Sequence, residues 1–204
     1  MGRAFGMLIV LLAALLRAVA EEEPLGPAAI KAGVLLNVAE FVEWPTNAFL
    51  DAAAPIVLGV LGKDPFGPEL DKLLGRKIDR RNIEIRRFKG SLEFRGEETP
   101  GRRQEGLAEK RSRKARELKA CHILFISSSE KEFLVTILKS IGDASVLTVG
   151  ELPEFTRQGG VVGFVGSGEK ILLEVNLDAA TEARLKISSK LLSLSRVIGG
   201  SGVE

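Results

Sequence analysis

The side chains best suited to chemistry lie at the two ends of one apolar run. Cys121 and His122 begin the run Cys121–Ile126, and Ser127–Ser129 follow it. A serine nucleophile needs a base, usually a histidine, within hydrogen-bond reach. If the run is a strand, Ser127 lies about 17 Å from His122, because an extended chain rises about 3.3 Å per residue. The sequence therefore argues against a serine–histidine dyad.

Acidic residues near these serines offer a second kind of chemistry. Asp64 follows an earlier apolar run and Glu130 follows the serines, so the two could form a carboxylate pair across one edge of a sheet. Capping helices is the commoner role for such residues. The chain has one histidine and one cysteine, adjacent to each other, which does not fit the spaced ligand sets of transition-metal sites. We predict no enzymatic activity, no metal site and no cofactor.

The single cysteine, Cys121, excludes an intrachain disulfide. In an exported protein a lone thiol is either buried and inert or forms an intermolecular bridge. Its position on an apolar strand favours burial, because free cysteine is among the most buried residue types.

Cys121–Ile126 must be positioned by a sheet. The run is apolar apart from His122 and does not alternate, which indicates a strand buried on both faces at the centre of an α/β sheet. The serines offer an N-cap for an amphipathic helix over residues 130–141.

The remaining pattern predicts a three-layer α/β/α sandwich with a mostly parallel sheet and a C-terminal β-hairpin. Ligands of such sheets bind beyond the carboxyl ends of the strands. The residues predicted there are Lys63, Asp64, Ser127, Ser128, Gly150 and Glu151. The other predicted helices cover residues 27–44, 69–74, 107–120, 177–183 and 186–197, and the other predicted strands cover 55–61, 80–88, 146–149, 161–165 and 171–175.

The N-terminal segment has the features of a secretory signal peptide. Arg3 precedes the apolar run Ala4–Leu16, which at about 13 residues is too short to span a bilayer. Ala18-Val19-Ala20 is a small-x-small cleavage site. We predict a signal peptide over residues 1–20, export to the periplasm, and a mature chain that is not transmembrane. An uncleaved interfacial anchor is the alternative.

A charged stretch over residues 90–119 interrupts the α/β pattern. We predict a flexible loop over Gly90–Gly106 and then a solvated helix. The stretch carries basic residues diluted by glutamates, and the whole chain has a net charge of only +2. A solvated surface is the simplest interpretation and an anionic partner is the alternative. No aromatic residues interleave the basic ones, which argues against single-stranded nucleic acid. The basic residues are Arg102, Arg103, Lys110, Arg111, Lys114, Arg113 and Arg116.

A series of short motifs, in order along the chain, resembles the YfiR family of periplasmic regulators. The resemblance extends from Ile30 to Val197, and therefore over a domain that we place at residues 27–199. Its motifs are Ile30-Lys31-Ala32, Asn37-Val38-Ala39-Glu40-Phe41-Val42-Glu43-Trp44-Pro45, Leu58-Gly59-Val60-Leu61-Gly62-Lys63-Asp64-Pro65-Phe66-Gly67, Cys121-His122-Ile123-Leu124-Phe125-Ile126-Ser127, Leu147-Thr148-Val149, Gly159-Gly160-Val161-Val162-Gly163-Phe164, Glu174-Val175-Asn176-Leu177 and Leu185-Lys186-Ile187-Ser188-Ser189-Lys190-Leu191-Leu192.

This resemblance implies a non-enzymatic protein that binds the periplasmic part of a membrane-bound diguanylate cyclase and restrains cyclic-di-GMP synthesis and biofilm formation. It also implies a possible homodimer, whereas redox control through an intrachain disulfide does not carry over to a chain with Cys121 alone. We predict partner contacts through Trp44, Phe66 and Phe155, for which core packing is the alternative. The alternative function is a periplasmic small-ligand-binding protein that serves a transporter or a sensor kinase.

Overall fold

The computed structural model of the chain describes residues 25–90, 104–166 and 171–200. The predicted signal peptide over residues 1–20 lies outside these residues. So do residues 91–103, which form most of the predicted flexible loop, and residues 167–170, which link the predicted hairpin.

In the described part of the chain, eight strands form one mixed sheet in the order β10-β8-β7-β6-β5-β2-β4-β3. Strands β2, β4, β5, β6 and β7 run parallel to one another. Two further strands, β1 and β9, pair antiparallel in a separate small sheet. The strands are β1 Val42–Glu43, β2 Ile56–Leu61, β3 Lys77–Ile78, β4 Arg81–Phe88, β5 Ile123–Ile126, β6 Leu147–Gly150, β7 Val162–Val165, β8 Leu172–Asn176, β9 Lys186–Ile187 and β10 Ser195–Ile198.

The sheet is built around β5, as the sequence predicts. All four of its residues are buried, because β2 and β6 flank it and helical layers cover both of its faces. Strand β4 lies near the edge, as its alternating sequence predicts, and only the two-residue β3 lies outside it. The predicted hairpin is also present, since β7 and β8 pair antiparallel, with Val162 opposite Val175.

Helices lie on both faces of the sheet and bury two separate apolar clusters. One cluster contains Leu35, Leu36 and the inward residues of β2 and β5 such as Leu58. The other lies on the opposite face and contains Leu118, Ile137 and Leu124. This is the predicted three-layer sandwich. The helices are α1 Pro27–Glu40, α2 Pro68–Asp71, α3 Gln104–Lys119, α4 Leu134–Ile141, α5 Leu177–Glu182 and α6 Ser189–Ser193, with 3₁₀ turns over Thr46–Ala48 and Ser128–Phe133.

The predicted bounds of two helices are wrong. The first helix ends at Glu40 rather than at Trp44, because Val42 pairs with Ile187 in the small sheet. The helix predicted over residues 130–141 starts as a 3₁₀ turn and becomes α-helical only at Leu134. The predicted serine cap is present in a modified form, since the Ser127 side chain accepts a hydrogen bond from the Ser129 N–H group.

The predicted C-terminal helix over residues 186–197 is also wrong. This stretch forms β9, the one-turn helix α6 and then β10. Strand β10 pairs parallel with β8, with Val197 opposite Val175. The open edge of β8 supplies backbone partners that no local pattern records, and this long-range pairing overrides helical spacing.

Candidate functional site

The carboxyl edge of the sheet, where we predicted ligand binding, is closed by its own hydrogen bonds. The Ser129 hydroxyl accepts from the Lys63 N–H group at 3.0 Å and donates to Glu130 Oε1 at 2.8 Å. Gly62 lies against this pair with φ +93°, and a Cβ atom there would lie 2.3 Å from Ser129 Oγ. Lys31 and Glu151 form an ion pair nearby. The loops at this edge therefore pack on one another.

Asp64 and Glu130 do not form a carboxylate pair that is free for catalysis. Oδ1 of Asp64 accepts from the N–H groups of Phe66 and Gly67, at 2.7 and 3.1 Å. Its Oδ2 accepts from Arg87 Nε at 2.7 Å. Asp64 thus fixes the turn that leads into α2, which is the capping role that the sequence analysis named as the commoner one.

At the opposite, amino end of the sheet, His122 is fully engaged. Its Nδ1 accepts from the Val57 N–H group at 3.0 Å. The proton therefore resides on Nε2, which donates to the carbonyl oxygen of Ala48 at 3.0 Å. Burial is the main cause that lowers the pKa of His122, and the positive charges of Arg81 and Arg86 add to this effect. A neutral ring with both nitrogens occupied is a structural element and not a catalytic base.

His122 anchors a loop formed by residues 45–54. The ring of Phe49 stacks on the imidazole of His122, with centroids 4.4 Å apart and planes at 12°. The guanidinium of Arg81 lies 3.7 Å from the Phe49 ring centroid, in cation–π geometry. Arg81 also donates to the carbonyl oxygens of Asp51 and Ala54, at 2.9 and 2.8 Å. These contacts of His122 and Arg81 therefore fix the position of the 45–54 loop.

The most exposed residue of the 45–54 loop is apolar. The side chain of Leu50 is 100% exposed, although its neighbour Phe49 is packed against His122. Trp44 begins this region. It is half-buried, and its Nε1 donates to the carbonyl oxygen of His122 at 3.1 Å. Leu50 is thus a fully exposed aliphatic side chain on a loop that contacts of His122 and Arg81 hold in place.

A cleft of about 570 Å³ opens beside the 45–54 loop, below the last turn of α3. Its lining includes aliphatic side chains, three cationic side chains and one carboxylate. The lining residues are Asn47, Ala48, Leu50, Ala54, Pro55, Val57, Glu84, Arg86, Lys119, Ala120, Cys121, His122, Ser145 and Arg184.

Cations outnumber carboxylates in this cleft. Arg86 Nε donates to Glu84 at 2.7 Å, and Arg184 donates to the carbonyl oxygen of Asp143 at 2.7 Å. Lys119 is exposed and, within the described residues, forms no ion pair. Burial raises the pKa of the Cys121 thiol to about 12, despite the nearby charge of Arg86. The thiol is therefore not a nucleophile, and its predicted burial is confirmed.

The three predicted contact residues occupy different environments. Trp44 lies at the edge of the amino-end site, where it is half-buried. Phe66 and Phe155 are each only 1% exposed and belong to the two opposite core clusters. Their burial favours the core-packing alternative over contact with a partner. No local signal marks Leu50, because its exposure depends on how His122 and Arg81 hold the loop.

The charged helix α3 packs on the sheet through a narrow face. Ala115 and Leu118 point inward, as predicted. Lys114 is buried as well, and its Nζ donates to the carbonyl oxygen of Lys89 at 3.2 Å and lies 5.2 Å from the Phe88 ring centroid. The basic cluster is thus not uniformly solvated.

The described residues lack two features, a membrane-spanning helix and a cluster of metal-binding side chains. None of the helices there is both long and apolar enough to cross a bilayer. The same residues contain no group of three or more histidine, cysteine, aspartate or glutamate side chains that could hold a metal ion.

Comparison with solved structures gives a fold-level relative. A crystal structure of a conserved domain protein from Vibrio cholerae O1 biovar El Tor strain N16961 is similar, with a TM-score of 0.51 and 11% sequence identity. The alignment covers 85% of this chain and 60% of that one. At this identity the similarity supports the α/β fold alone. Among curated proteins, none matches the sequence at a significant level.

The family profile is the more specific result. The profile of the YfiR/HmsC-like family (DUF4154) matches residues 28–196, and therefore extends from α1 to β10. This family consists of periplasmic proteins that regulate diguanylate cyclase signalling and are not known as enzymes. Because this profile covers most of its length, the chain belongs to the YfiR/HmsC-like family.

Proposed function

We propose that this protein inhibits a membrane-bound diguanylate cyclase by binding the cyclase's periplasmic part. Family membership supports a role as a periplasmic regulator in this signalling system. The predicted signal peptide over residues 1–20 supplies the route to that compartment. The observation that carries the binding role is the fully exposed Leu50 on the 45–54 loop.

The physical argument rests on preorganisation. Burying a leucine side chain against a partner stabilises a complex by about 1.5–3 kcal/mol. Ordering a loop at the moment of binding costs part of that energy. Here Arg81 and His122 already hold the loop through three carbonyl oxygens, those of Ala48, Asp51 and Ala54. The cost of ordering the 45–54 loop therefore offsets little of the free energy gained by burying Leu50.

A second exposed apolar surface competes with this assignment. Leu172 is 65% exposed and lies opposite Val165, which is 41% exposed, at the carboxyl-edge end of the hairpin. Strand β10 lies at the outer edge of the described sheet, next to β8. Unpaired edges of this kind promote pairing between copies of a chain. We assign the predicted homodimer, if it forms, to this second surface and the cyclase to the Leu50 loop.

The test is binding of the purified protein to the isolated periplasmic part of a diguanylate cyclase from the same genome, measured by calorimetry. We expect Leu50→Ser to weaken binding about tenfold or more, because it removes an apolar contact of at least about 1.4 kcal/mol. Its thermal stability should remain that of the wild type, because the side chain is fully exposed. Leu172→Ser is the matched control and should bind as the wild type does.

The outcomes test the inhibitory function separately from the assignment of the cyclase contact to the Leu50 loop. If Leu172→Ser loses binding and Leu50→Ser does not, the cyclase binds the hairpin surface and the assignment of the loop is wrong. In cells, deletion of the gene should raise cyclic-di-GMP, and the Leu50→Ser variant should fail to restore the lower level. An unchanged cyclic-di-GMP level beside an intact cyclase would contradict the inhibitory function. A purified periplasmic chain that starts at Met1 would contradict signal cleavage.

A further inference from the structure

The cleft beside the 45–54 loop has the size and composition of a small-ligand site. Its volume of about 570 Å³ lies within the range of roughly 300–1,000 Å³ that small-molecule sites occupy. It lies at the amino end of the parallel strands, opposite the edge where such sheets usually bind ligands. The carboxyl edge is closed by its own side chains, whereas the amino end remains open.

The charges that line the cleft favour an anion. Arg86, Lys119 and Arg184 are the cationic lining residues, and Glu84 is the one carboxylate that lines the cleft. Both arginines already have a carboxylate partner, since Arg86 pairs with Glu84 and Arg184 lies 3.8 Å from Asp143 Oδ2. The bond from Arg86 to Glu84 involves Nε, and a guanidinium has five N–H donors. Lys119 forms no ion pair in the described chain. His122 adds no charge at neutral pH, because it is a neutral ring with both nitrogens bonded.

The aliphatic lining residues favour an apolar part on the same ligand. Leu50, Ala54, Pro55 and Val57 line the cleft, and their side chains have no polar atoms. A ligand that pairs an anionic head with Lys119 could bury an aliphatic tail against these residues.

We propose that this cleft binds a small organic anion with an aliphatic part, with Lys119 and Arg86 at the anionic head and Leu50 and Pro55 at the tail. This proposal shares Leu50 with the proposed cyclase contact. It is tested on the purified chain without the cyclase, so its failure can be distinguished from failure of the proposed inhibitory function.

Octanoate is the probe, with octanamide as its neutral isostere and acetate as the head without a tail. Trp44 is the only tryptophan of the chain and donates a hydrogen bond to the backbone of the cleft residue His122, so its fluorescence is the readout, with calorimetry as the independent measure of binding. We expect saturable binding of octanoate that weakens with added salt, because exposed charges are screened. Octanamide and acetate should bind at least several-fold more weakly.

Lys119→Glu should abolish octanoate binding, since it reverses the charge at the head. Lys110→Glu is the matched control, because Lys110 is exposed on the same helix, away from the cleft, and it changes the net charge equally. If Lys119→Glu fails to fold, Lys119→Gln should still weaken binding about threefold to tenfold, as the loss of one exposed or charge-assisted contact does. Calorimetry checks the fluorescence titration.

Three results would overturn the proposal. They are no saturable octanoate binding at millimolar concentration, equal binding of octanoate and octanamide, or unchanged octanoate binding in both Lys119 variants. If acetate binds as tightly as octanoate, the aliphatic lining residues do not contribute to ligand binding.

Discussion

The carbonyl oxygen of His122 accepts a hydrogen bond from Trp44 Nε1 at 3.1 Å, while the imidazole of the same residue holds Val57 and Ala48. One residue at the start of the central strand thus ties together the end of the α1 region, the first long strand and the 45–54 loop. The only histidine of the chain therefore has a structural role. Because its Nδ1 accepts from Val57, protonation of this ring would disrupt the amino end of the sheet.

Acidification should destabilise the fold through His122. An unfolded histidine has a pKa of about 6.5, whereas burial lowers the pKa of His122 in the folded chain. As pH falls through about 6.5, the unfolded state binds a proton that the folded state does not, so the free energy of unfolding decreases. Above about pH 7 the contribution of neutral His122 to the free energy of unfolding is fully present. Urea denaturation near pH 7.5 and near pH 5.5 measures the difference.

His122→Asn is the comparison for this effect, since its side chain can still accept from Val57 but does not titrate. Its free energy of unfolding should change less between the two pH values than that of the wild type. If the free energy of unfolding changes equally between the two pH values in both proteins, His122 is not the titrating group.

Glu174 should contribute stability in a lower pH window. It is 4% exposed and accepts hydrogen bonds from Thr156 and Arg196. The bond from Thr156 is the main cause that lowers its pKa, and Arg196 adds to it. Because an unfolded glutamate titrates at about 4.3, this stability is present above about pH 4.3 and is lost as pH falls through the folded pKa.

Glu174→Gln should therefore reduce the free energy of unfolding at neutral pH by about 1–3 kcal/mol, the usual cost of disrupting a buried charged hydrogen bond. The deficit should shrink on acidification below about pH 4. Glu182→Gln, an exposed position, is the control and should have little effect. A deficit that stays constant down to low pH would contradict the role of the carboxylate charge.

Phe155 should behave as a core residue. Its ring packs against two glycines, and a Cβ atom at Gly150 or Gly160 would lie 2.5 or 2.1 Å from it. We expect Phe155→Ala to cost about 3–5 kcal/mol and Gly160→Ala to cost about 1–3 kcal/mol through overpacking. Gly33→Ala is the control, because nothing lies within 4 Å of its Cβ position, and helix propensity should make it neutral or stabilising by up to about 1 kcal/mol. Denaturant midpoints measure all three. A Phe155→Ala variant as stable as the wild type would return this ring to the list of partner contacts.

Cys121 should be inert in the folded protein. It is 2% exposed, and burial raises its pKa to about 12. Because the thiolate is the reactive form, labelling by a disulfide reagent at about pH 8 should be slow and should accelerate in urea. Reducing agent should leave the oligomeric state unchanged. Rapid labelling without denaturant, or a dimer that reductant dissolves, would favour the intermolecular bridge.

Much of the fold could be predicted from local pattern. The unbroken apolar runs identify β2 and β5 as buried strands, because a strand covered on both faces has no polar face to display. The predicted hairpin is present as β7 and β8 for a related reason, since its two short apolar segments are joined by a glycine-bearing link. The C-terminal strand β10 is not predicted, because Leu191, Leu192, Leu194 and Val197 have helical spacing. Only Ser189–Ser193 is helical, and the open edge of β8 makes Ser195–Ile198 a strand.

The site was less predictable than the fold. The general rule for open sheets pointed to the carboxyl edge around Asp64 and Ser127, but side-chain hydrogen bonds close that edge. From the sequence, Phe66 and Phe155 could be either partner contacts or core residues. Their burial in the two apolar clusters of the structure favours core packing. Nothing in the local sequence of the 45–54 loop indicates that Leu50 is exposed.

The sequence by itself determined the layers of this protein, its central strand and the lack of a second cysteine to form an intrachain disulfide with Cys121, because hydrophobic period and composition can be read from the sequence alone. Only the tertiary structure decided the protonation state of His122, the conformation of the 45–54 loop and the cleft lined by Lys119 and Arg86. The physical reason is that burial, hydrogen-bond partners and facing charges arise between residues distant in sequence, such as Val57 and His122, and these contacts exist only once the strands have paired.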